Sequence, residues 1–240
     1  MALTLQLPRD ETIRISVAIY KPMKGCDIDD AVGHITKAIA SLEQTVKTAI
    51  VKSVNGSWVA VISVWKDASI VETDSIANLH GLSAELAKDS TPIVRIVDSG
   101  WFQLSSQEHK DIAFAQLRVG DIVNVRRIYS SSRKQEVLAY SCLAITKAYF
   151  KDTKGILSYT FYKSIDGKRI IGLGIWDSIE SASALLEKST GSPAEAYWKG
   201  LGAKMLRYEV CKVVHVIEES PAVKTFTHGF GRESPDFQRA

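Results

Sequence analysis

Long apolar runs are missing from this chain. No stretch approaches the roughly 18–20 residues that a bilayer-spanning helix needs, and the opening MALTLQLPRDET lacks the basic segment and long apolar core of a secretory signal. Cysteine is scarce. Cys26, Cys142 and Cys211 lie too far apart for a CxxC pattern, and an odd, sparse count fits a reducing compartment. Neither sign of charge dominates: 30 Lys and Arg stand against 27 Asp and Glu, for a net charge of +3. The basic clusters stop at Arg126-Arg127 and Arg133-Lys134, short of the stripe that marks a nucleic-acid binder. There is no HExxH or HxxxH, no GxGxxG or P-loop opening a helix, and no nucleophile elbow. These absences leave a soluble, cytoplasmic protein with no resident metal or organic cofactor and neither a nucleic acid nor a membrane as partner. A small-molecule substrate remains, and further association into a homo-oligomer is left open.

What is present is a phrase stated twice. KSVNG at 52–56 returns as KSIDG at 163–167, 111 positions later, and a tryptophan follows each glycine by nine residues, at Trp65 and Trp176. Aligned on this phrase, the flanking segments also correspond. IRISVAIY (13–20) and IVNVRRIY (122–129) alternate as strands and end in Tyr. Asp27–Glu43 carries Ile28, Ala31, Val32, Ile35, Ala38, Ile39 and Leu42 as one helical stripe, with Asp27 placed to cap it. Lys134–Phe150 repeats the pattern. Each phrase sits between two β-rich runs, and Asn-Gly or Asp-Gly there predicts a tight hairpin turn whose two central residues take positive φ. A second helical stretch follows each hairpin, at 70–88 and at 178–205, the latter broken by Gly-Ser-Pro at 191–193. PIVRIVD (92–98) and EVCKVVHV (209–216) read as closing strands.

The expected fold is therefore α+β: tandem ferredoxin-like β-α-β-β-α-β units over 10–98 and 119–217. Residues 99–118 read as a linker with a short helix opened by Ser105 and Glu108 in capping-box spacing, and 218–240 as a C-terminal tail. Two helices cover only one face of such a sheet, yet VAVISVW and IIGLGIW are apolar on both faces, so each sheet expects cover on its second face as well. The other unit's sheet is the simplest cover, giving a dimer fused within one chain.

GILSYTFYKSIDGKRIIGLGIWDSIESA (155–182) resembles the dimeric α/β-barrel superfamily, whose branches include antibiotic-biosynthesis-type monooxygenases. Gly155, Ser158, Tyr159, Trp176, Ser178, Glu180 and Ala182 carry the likeness, and Trp65-Lys66-Asp67 matches more weakly. The resemblance implies an intrachain dimeric α/β barrel. It also implies a range of activities, from cofactor-free oxygenation, polyketide cyclisation, isomerisation and haem chemistry to none, since fold does not fix function. In cofactor-free relatives an Asn on the first strand and the hairpin Trp flank substrate, which points here to Asn124 and Trp176; Asn124 could equally satisfy a buried backbone group. Haem-degrading relatives carry a histidine about nine residues after that Trp, where this chain has Leu185 and, in the first unit, Asp74. Nearby His80 reads as a helix-surface residue.

The two units differ where a site could form. Val59, Val61 and Ser63 alternate with Trp65 on one face, but Ile170, Gly172 and Gly174 do so with Trp176. Glycine in a strand marks either closer packing or room for a ligand; a pocket above Gly172 and Gly174 is the sharper expectation. Tyr159 and Tyr162 fall on opposite faces of one strand, so one of them could line that pocket. Tyr197, beside Trp198, could close it or anchor a helix. His215, on the last strand, is a candidate general base, or else a hydrogen-bonded structural residue. The reading is a small-molecule enzyme, a monooxygenase or a cyclase/isomerase of secondary metabolism, acting on an apolar aromatic or polyketide-like substrate. The alternative is a non-catalytic binding or stress-associated protein of the same fold.

Overall fold

A computed structural model describes residues 3–42, 47–65, 82, 85–88, 92–111, 115–189 and 193–217. Its elements are β1 (Thr4–Gln6), β2 (Arg14–Pro22), α1 (Ile28–Ala40), β3 (Thr48–Ser53), β4 (Val59–Trp65), β5 (Val94–His109), β6 (Gln116–Arg118), β7 (Ile122–Tyr129), α2 (Gln135–Tyr149), β8 (Ile156–Ser164), β9 (Arg169–Trp176), α3 (Ile179–Ser189), α4 (Pro193–Gly200) and β10 (Met205–Ile217). Eight strands close into an antiparallel barrel in the order β10-β3-β4-β2-β5-β8-β9-β7. The fold is thus α+β, with an N-terminal quartet (β2 to β5) and a C-terminal quartet (β7 to β10) each contiguous around the wall.

Alternation divides the apolar side chains between two sides of the wall. Val17, Ile19, Val51, Ile62, Val123, Val125, Tyr162, Leu173 and Val213 point into the barrel. The opposite set of N-terminal residues, including Ala18, Tyr20 and Val61, packs with Ala31, Ile35 and Ile39 of α1 and with Leu82 and Leu86. A third cluster joins Ile128, Tyr159, Phe161, Ile170 and Trp176 to Leu138 and Cys142 of α2, Ala182 of α3 and Trp198 of α4. Both faces of every quartet are covered, as continuous apolar strands require. Burying this surface at roughly 25 cal/mol per Å² is the main stabilising term.

Local signals explain the helix starts. Asp27 accepts the backbone N–H of Asp29 at 2.7 Å, capping α1. Ser178 Oγ accepts the N–H of Ser181 at 3.1 Å and so opens α3. The expected helix over 70–88 lies outside the described residues except at 82 and 85–88, as do Lys66, Asp67, Asp74, His80 and the tail at 218–240.

Two expectations are corrected. The capping-box spacing at Ser105 and Glu108 does not open a helix: both residues lie within the 16-residue strand β5. Long-range pairing overrides the local signal, because β5 pairs with β2 through residues 94–103 and with β8 through residues 102–109. β10 does the same, pairing with β7 through 205–212 and with β3 through 211–217. These two strands are the seams between the quartets. The hairpin turns also differ from expectation. Gly56 and Gly167 have φ of +70° and +75°, but no non-glycine among the described residues has positive φ, so Asn55 and Asp166 do not. Each turn runs from serine to glycine, with Gly56 N–H donating to Ser53 O and Gly167 N–H to Ser164 O, both at 3.1 Å. Glycine alone supplies the left-handed residue that a three-residue loop needs.

The serines of the doubled phrase hold these loops. Ser53 Oγ accepts from Ser57 N and Trp58 N at 2.9 and 3.0 Å. Ser164 Oγ accepts from Lys168 N and Arg169 N at 3.2 and 2.9 Å, and also from Gln135 Nε2 of α2 at 3.1 Å. Ser164→Ala is expected to lower stability by about 1–3 kcal/mol, and more than Ser53→Ala, because Ser164 Oγ also bonds Asp166 Oδ1 and Gln135 Nε2. Urea titration of the two variants with an unchanged slope checks this.

The short ribbon β1–β6 was not foreseen. Leu5 and Leu117 face each other in its register and join the cluster inside the barrel, both buried.

Candidate functional site in the C-terminal quartet

Strand β7 lies between β9 and β10, and its outer-facing residues are Ile122, Asn124, Arg126 and Ile128. Asn124 stands opposite Gly174 and Val210, and Arg126 opposite Gly172 and Tyr208. On the far side of β9, Tyr159 pairs with Gly174 and Phe161 with Gly172. Between these two rows β9 therefore presents only glycine hydrogens. A Cβ at position 172 would stand 2.8 Å from Phe161 Cε1 and 3.0 Å from Tyr159 Cε1. One at position 174 would overlap Asn124 Oδ1 and stand 2.8 Å from Tyr159 Cε2. The open space expected above the two glycines is filled: the Tyr159 ring lies across them. The glycines serve close packing of side chains from β7 and β8, so bulk at either position would disturb the wall itself.

A chain of hydrogen bonds fixes this row. Trp176 Nε1–H donates to Asn124 Oδ1 at 2.9 Å, and Asn124 Nδ2–H reaches the Tyr159 hydroxyl at 3.5 Å, the outer limit of such a bond. The Trp176 donor sets the amide's orientation, so Asn124 presents its N–H₂ toward Tyr159. Asn124 is 4% exposed, Tyr159 4% and Trp176 2%. Burial, the largest cause, raises the Tyr159 pKa and keeps its phenol neutral.

Arg126 completes the row. Its guanidinium lies 4.0 Å from the Tyr208 ring centroid, 4.4 Å from that of Trp198 and 5.7 Å from that of Tyr159. The residue is 7% exposed, and desolvation pulls its pKa below the ordinary arginine value. Among the described residues no carboxylate pairs with it, and its Nε, the Trp198 Nε1 and the Tyr208 hydroxyl are all buried without a hydrogen-bond partner. Cys142 of α2 lies near enough to feel the Arg126 charge, yet burial dominates and pushes its thiol up to about 12. It is an inert packing residue here.

The same alternation places the other candidates elsewhere. Tyr162 points into the barrel, with its hydroxyl buried and unpartnered. Tyr197 is 54% exposed on α4 while its neighbour Trp198 turns inward. His215 is exposed and pairs with Ile50 across the β10–β3 seam. It lies five residues along β10 from Val210, the partner of Asn124, about 16 Å away at about 3.3 Å per residue. The structure therefore separates His215 from Asn124 and Trp176. Leu185, at the place of the haem-protein histidine, packs into the apolar cluster of this quartet. Among the described residues no group of three or more His, Cys, Asp or Glu side chains could hold a metal.

Arg126 is the residue that the sequence reading passed over. Arg126-Arg127 looks like a small surface basic cluster. In a strand covered on both faces, however, adjacent residues go to opposite sides, and both must be buried. Arg127 is 6% exposed and faces Trp58, with 5.4 Å from guanidinium to ring centroid.

The N-terminal quartet has no such row. Trp65 Nε1–H donates to Ser16 Oγ at 2.9 Å, matching the Trp176–Asn124 bond in position. But Ser16 stands opposite Ser63, Ser63 bonds Thr48 at 2.8 Å, and Ala18 stands opposite Val61. Small residues occupy the places of Asn124, Tyr159 and Arg126.

With this geometry in hand, the likeness to solved structures is specific in shape. An anthrone oxidase-like protein superposes with a TM-score of 0.67 at 12% identity, over 92% of this chain and 98% of that one. The two share the closed eight-stranded α+β barrel. A protein named for chlorite dismutase aligns over 85% of this chain and 95% of its own, with a TM-score of 0.54 at 15% identity. One named for monooxygenases, from Fusobacterium nucleatum subsp. nucleatum, gives 0.52 at 9% identity over 86% and 94%. At such identities the barrel is shared and the chemistry is free to differ. In sequence, residues 101–210 match a family described as a domain of unknown function (DUF7392). No curated protein matches the chain in sequence. Among the described residues no helix is long and apolar enough to cross a membrane.

Proposed function

We propose that this barrel is a small-molecule enzyme of the monooxygenase type, acting on an electron-rich aromatic or polyketide-like substrate beneath α2 and α4 of the C-terminal quartet. The observation that carries the reading is the buried Trp176–Asn124–Tyr159 row, built on two glycines and absent from the N-terminal quartet. We propose too that the chain is two fused β-α-β-β-α-β units, 10–98 and 119–217, of which the first is structural. The equivalent Trp65–Ser16 and Trp176–Asn124 bonds and the paired seam strands support this.

In the reaction envisaged, a benzylic or doubly activated CH₂ of the substrate reacts with O₂. One oxygen atom enters a new carbonyl, the other leaves as water carrying the two hydrogens, and the substrate supplies all the electrons. No external reductant enters the balance. Asn124 would donate its amide N–H to the enolate or hydroperoxide oxygen, held in that orientation by Trp176. Tyr159, kept neutral, would donate from the other side.

Oxygen uptake with a panel of polycyclic phenols and anthrones tests the reading. Wild type should consume one O₂ per carbonyl formed, and Asn124→Ala should lower kcat by about a hundredfold. Product formed without oxygen uptake would indicate a cyclase or isomerase instead. A second reading rests on one observation: among the described residues the row contains no carboxylate or imidazole. Saturable binding of the panel without any turnover would establish a binding protein.

A further inference from the structure

Three unsatisfied polar groups belong to side chains that pack together around Arg126. Its Nε, the indole Nε1 of Trp198 and the hydroxyl of Tyr208 are each buried without a hydrogen-bond partner. Native interiors pair nearly all such groups, so three in one cluster call for an explanation. Two of the three, guanidinium and indole, can only donate, and the third can donate as well as accept. The Tyr208 and Trp198 rings lie 4.0 and 4.4 Å from the guanidinium, where their π clouds favour the cation without accepting its in-line N–H bonds. A neutral amide or ketone would match this donor set weakly. An oxyanion matches it in charge and in its capacity to accept from several donors.

We infer that Arg126, Trp198 and Tyr208 form an oxyanion subsite, so that the ligand of the C-terminal quartet is an anionic aromatic compound bearing a carboxylate or an ionised phenol or enol. The inference rests on the proposed site and deepens it. It also accounts for the lack of a base in the row: a substrate that arrives already ionised needs none. The rings that box the guanidinium come from β8, β10 and α4.

The experiment is calorimetric binding of 2-naphthoate, its neutral isostere 2-naphthamide, and 2-naphthol across its own ionisation. Wild type should bind 2-naphthoate at least about tenfold more tightly than the amide, the smaller end of what a charge-assisted bond supplies, or bind 2-naphthol more tightly as it ionises. The first result assigns a carboxylate, the second a phenolate or enolate. Arg126→Gln should bring the carboxylate-to-amide ratio to about one while amide affinity stays within about threefold, and Arg126→Lys should keep part of the preference. Equal affinities for naphthoate and naphthamide, with no gain for naphthol on ionisation, would overturn the subsite but leave the aromatic site standing. Failure of all three to bind would overturn both. The wild-type comparison needs no variant, so a poorly folding substitution does not decide the outcome.

Discussion

Gly174→Ala should destabilise the protein by about 2–4 kcal/mol, the sum of overpacking and of a broken buried hydrogen bond. A single methyl is added, and the usual expectation for Gly to Ala in a strand is a gain. Here the new Cβ would overlap Asn124 Oδ1 and press on the Tyr159 ring at 2.8 Å. Moving Asn124 aside breaks its bond from Trp176 Nε1, leaving an indole N–H buried and unpaired. Both neighbours belong to the barrel wall, so neither can yield cheaply. The double variant Asn124→Ala/Gly174→Ala separates the causes. Because the overlap with Oδ1 disappears with the amide and only the Tyr159 contact remains, its cost should fall below the sum of the two single losses. Additive losses in urea unfolding would show that the methyl's cost lies at the Tyr159 ring rather than at the Asn124 amide. The same experiment at Ser63, the position matching Gly174 in the N-terminal quartet, has no such coupling to reveal, since a side chain already stands there.

Arg126→Met should have the opposite sign. Removing an unpaired buried charge and substituting an apolar side chain of similar length is expected to raise stability by about 1–3 kcal/mol. The variant should at the same time lose its preference for oxyanions. A protein that becomes more stable as it loses its ligand is one in which the residue is kept for function. Thermal melting with and without 2-naphthoate reads both effects at once: the variant's Tm should be higher without ligand and insensitive to ligand, whereas wild type should rise only with ligand. A variant less stable than wild type would mean that Arg126 holds the aromatic box together through its contacts with Tyr208 and Trp198.

These two residues show how far the sequence could be read. Period-two alternation in IVNVRRIY located β7, and the glycines at 172 and 174 marked where the quartets differ. What alternation does not carry is which neighbour's side chain fills the space a glycine leaves. That depends on register across three strands, and the Tyr159 ring arrives from β8, thirteen to fifteen residues away in sequence. Arg126 was missed for a related reason, since two adjacent basic residues look solvated until both strand faces are known to be covered. His215 was overweighted because histidine titrates near neutral pH, although chemistry alone says nothing of position; five residues along β10 separate it from the strand partner of Asn124. Local signals were reliable where local bonds settle the outcome, as at Asp27. They failed at Ser105, where the pairing partners lie far along the chain.

The seam strand β10 sets the order of events during synthesis. One edge of β3 is satisfied only by residues 211–217, more than 150 positions downstream. An N-terminal quartet emerging from the ribosome would therefore carry a bare apolar sheet edge until the last described strand is translated. At about 5–20 residues per second that interval is roughly 10–30 seconds. Nascent chains halted before residue 211 should accordingly depend on holdase chaperones, and release from them should coincide with the arrival of β10.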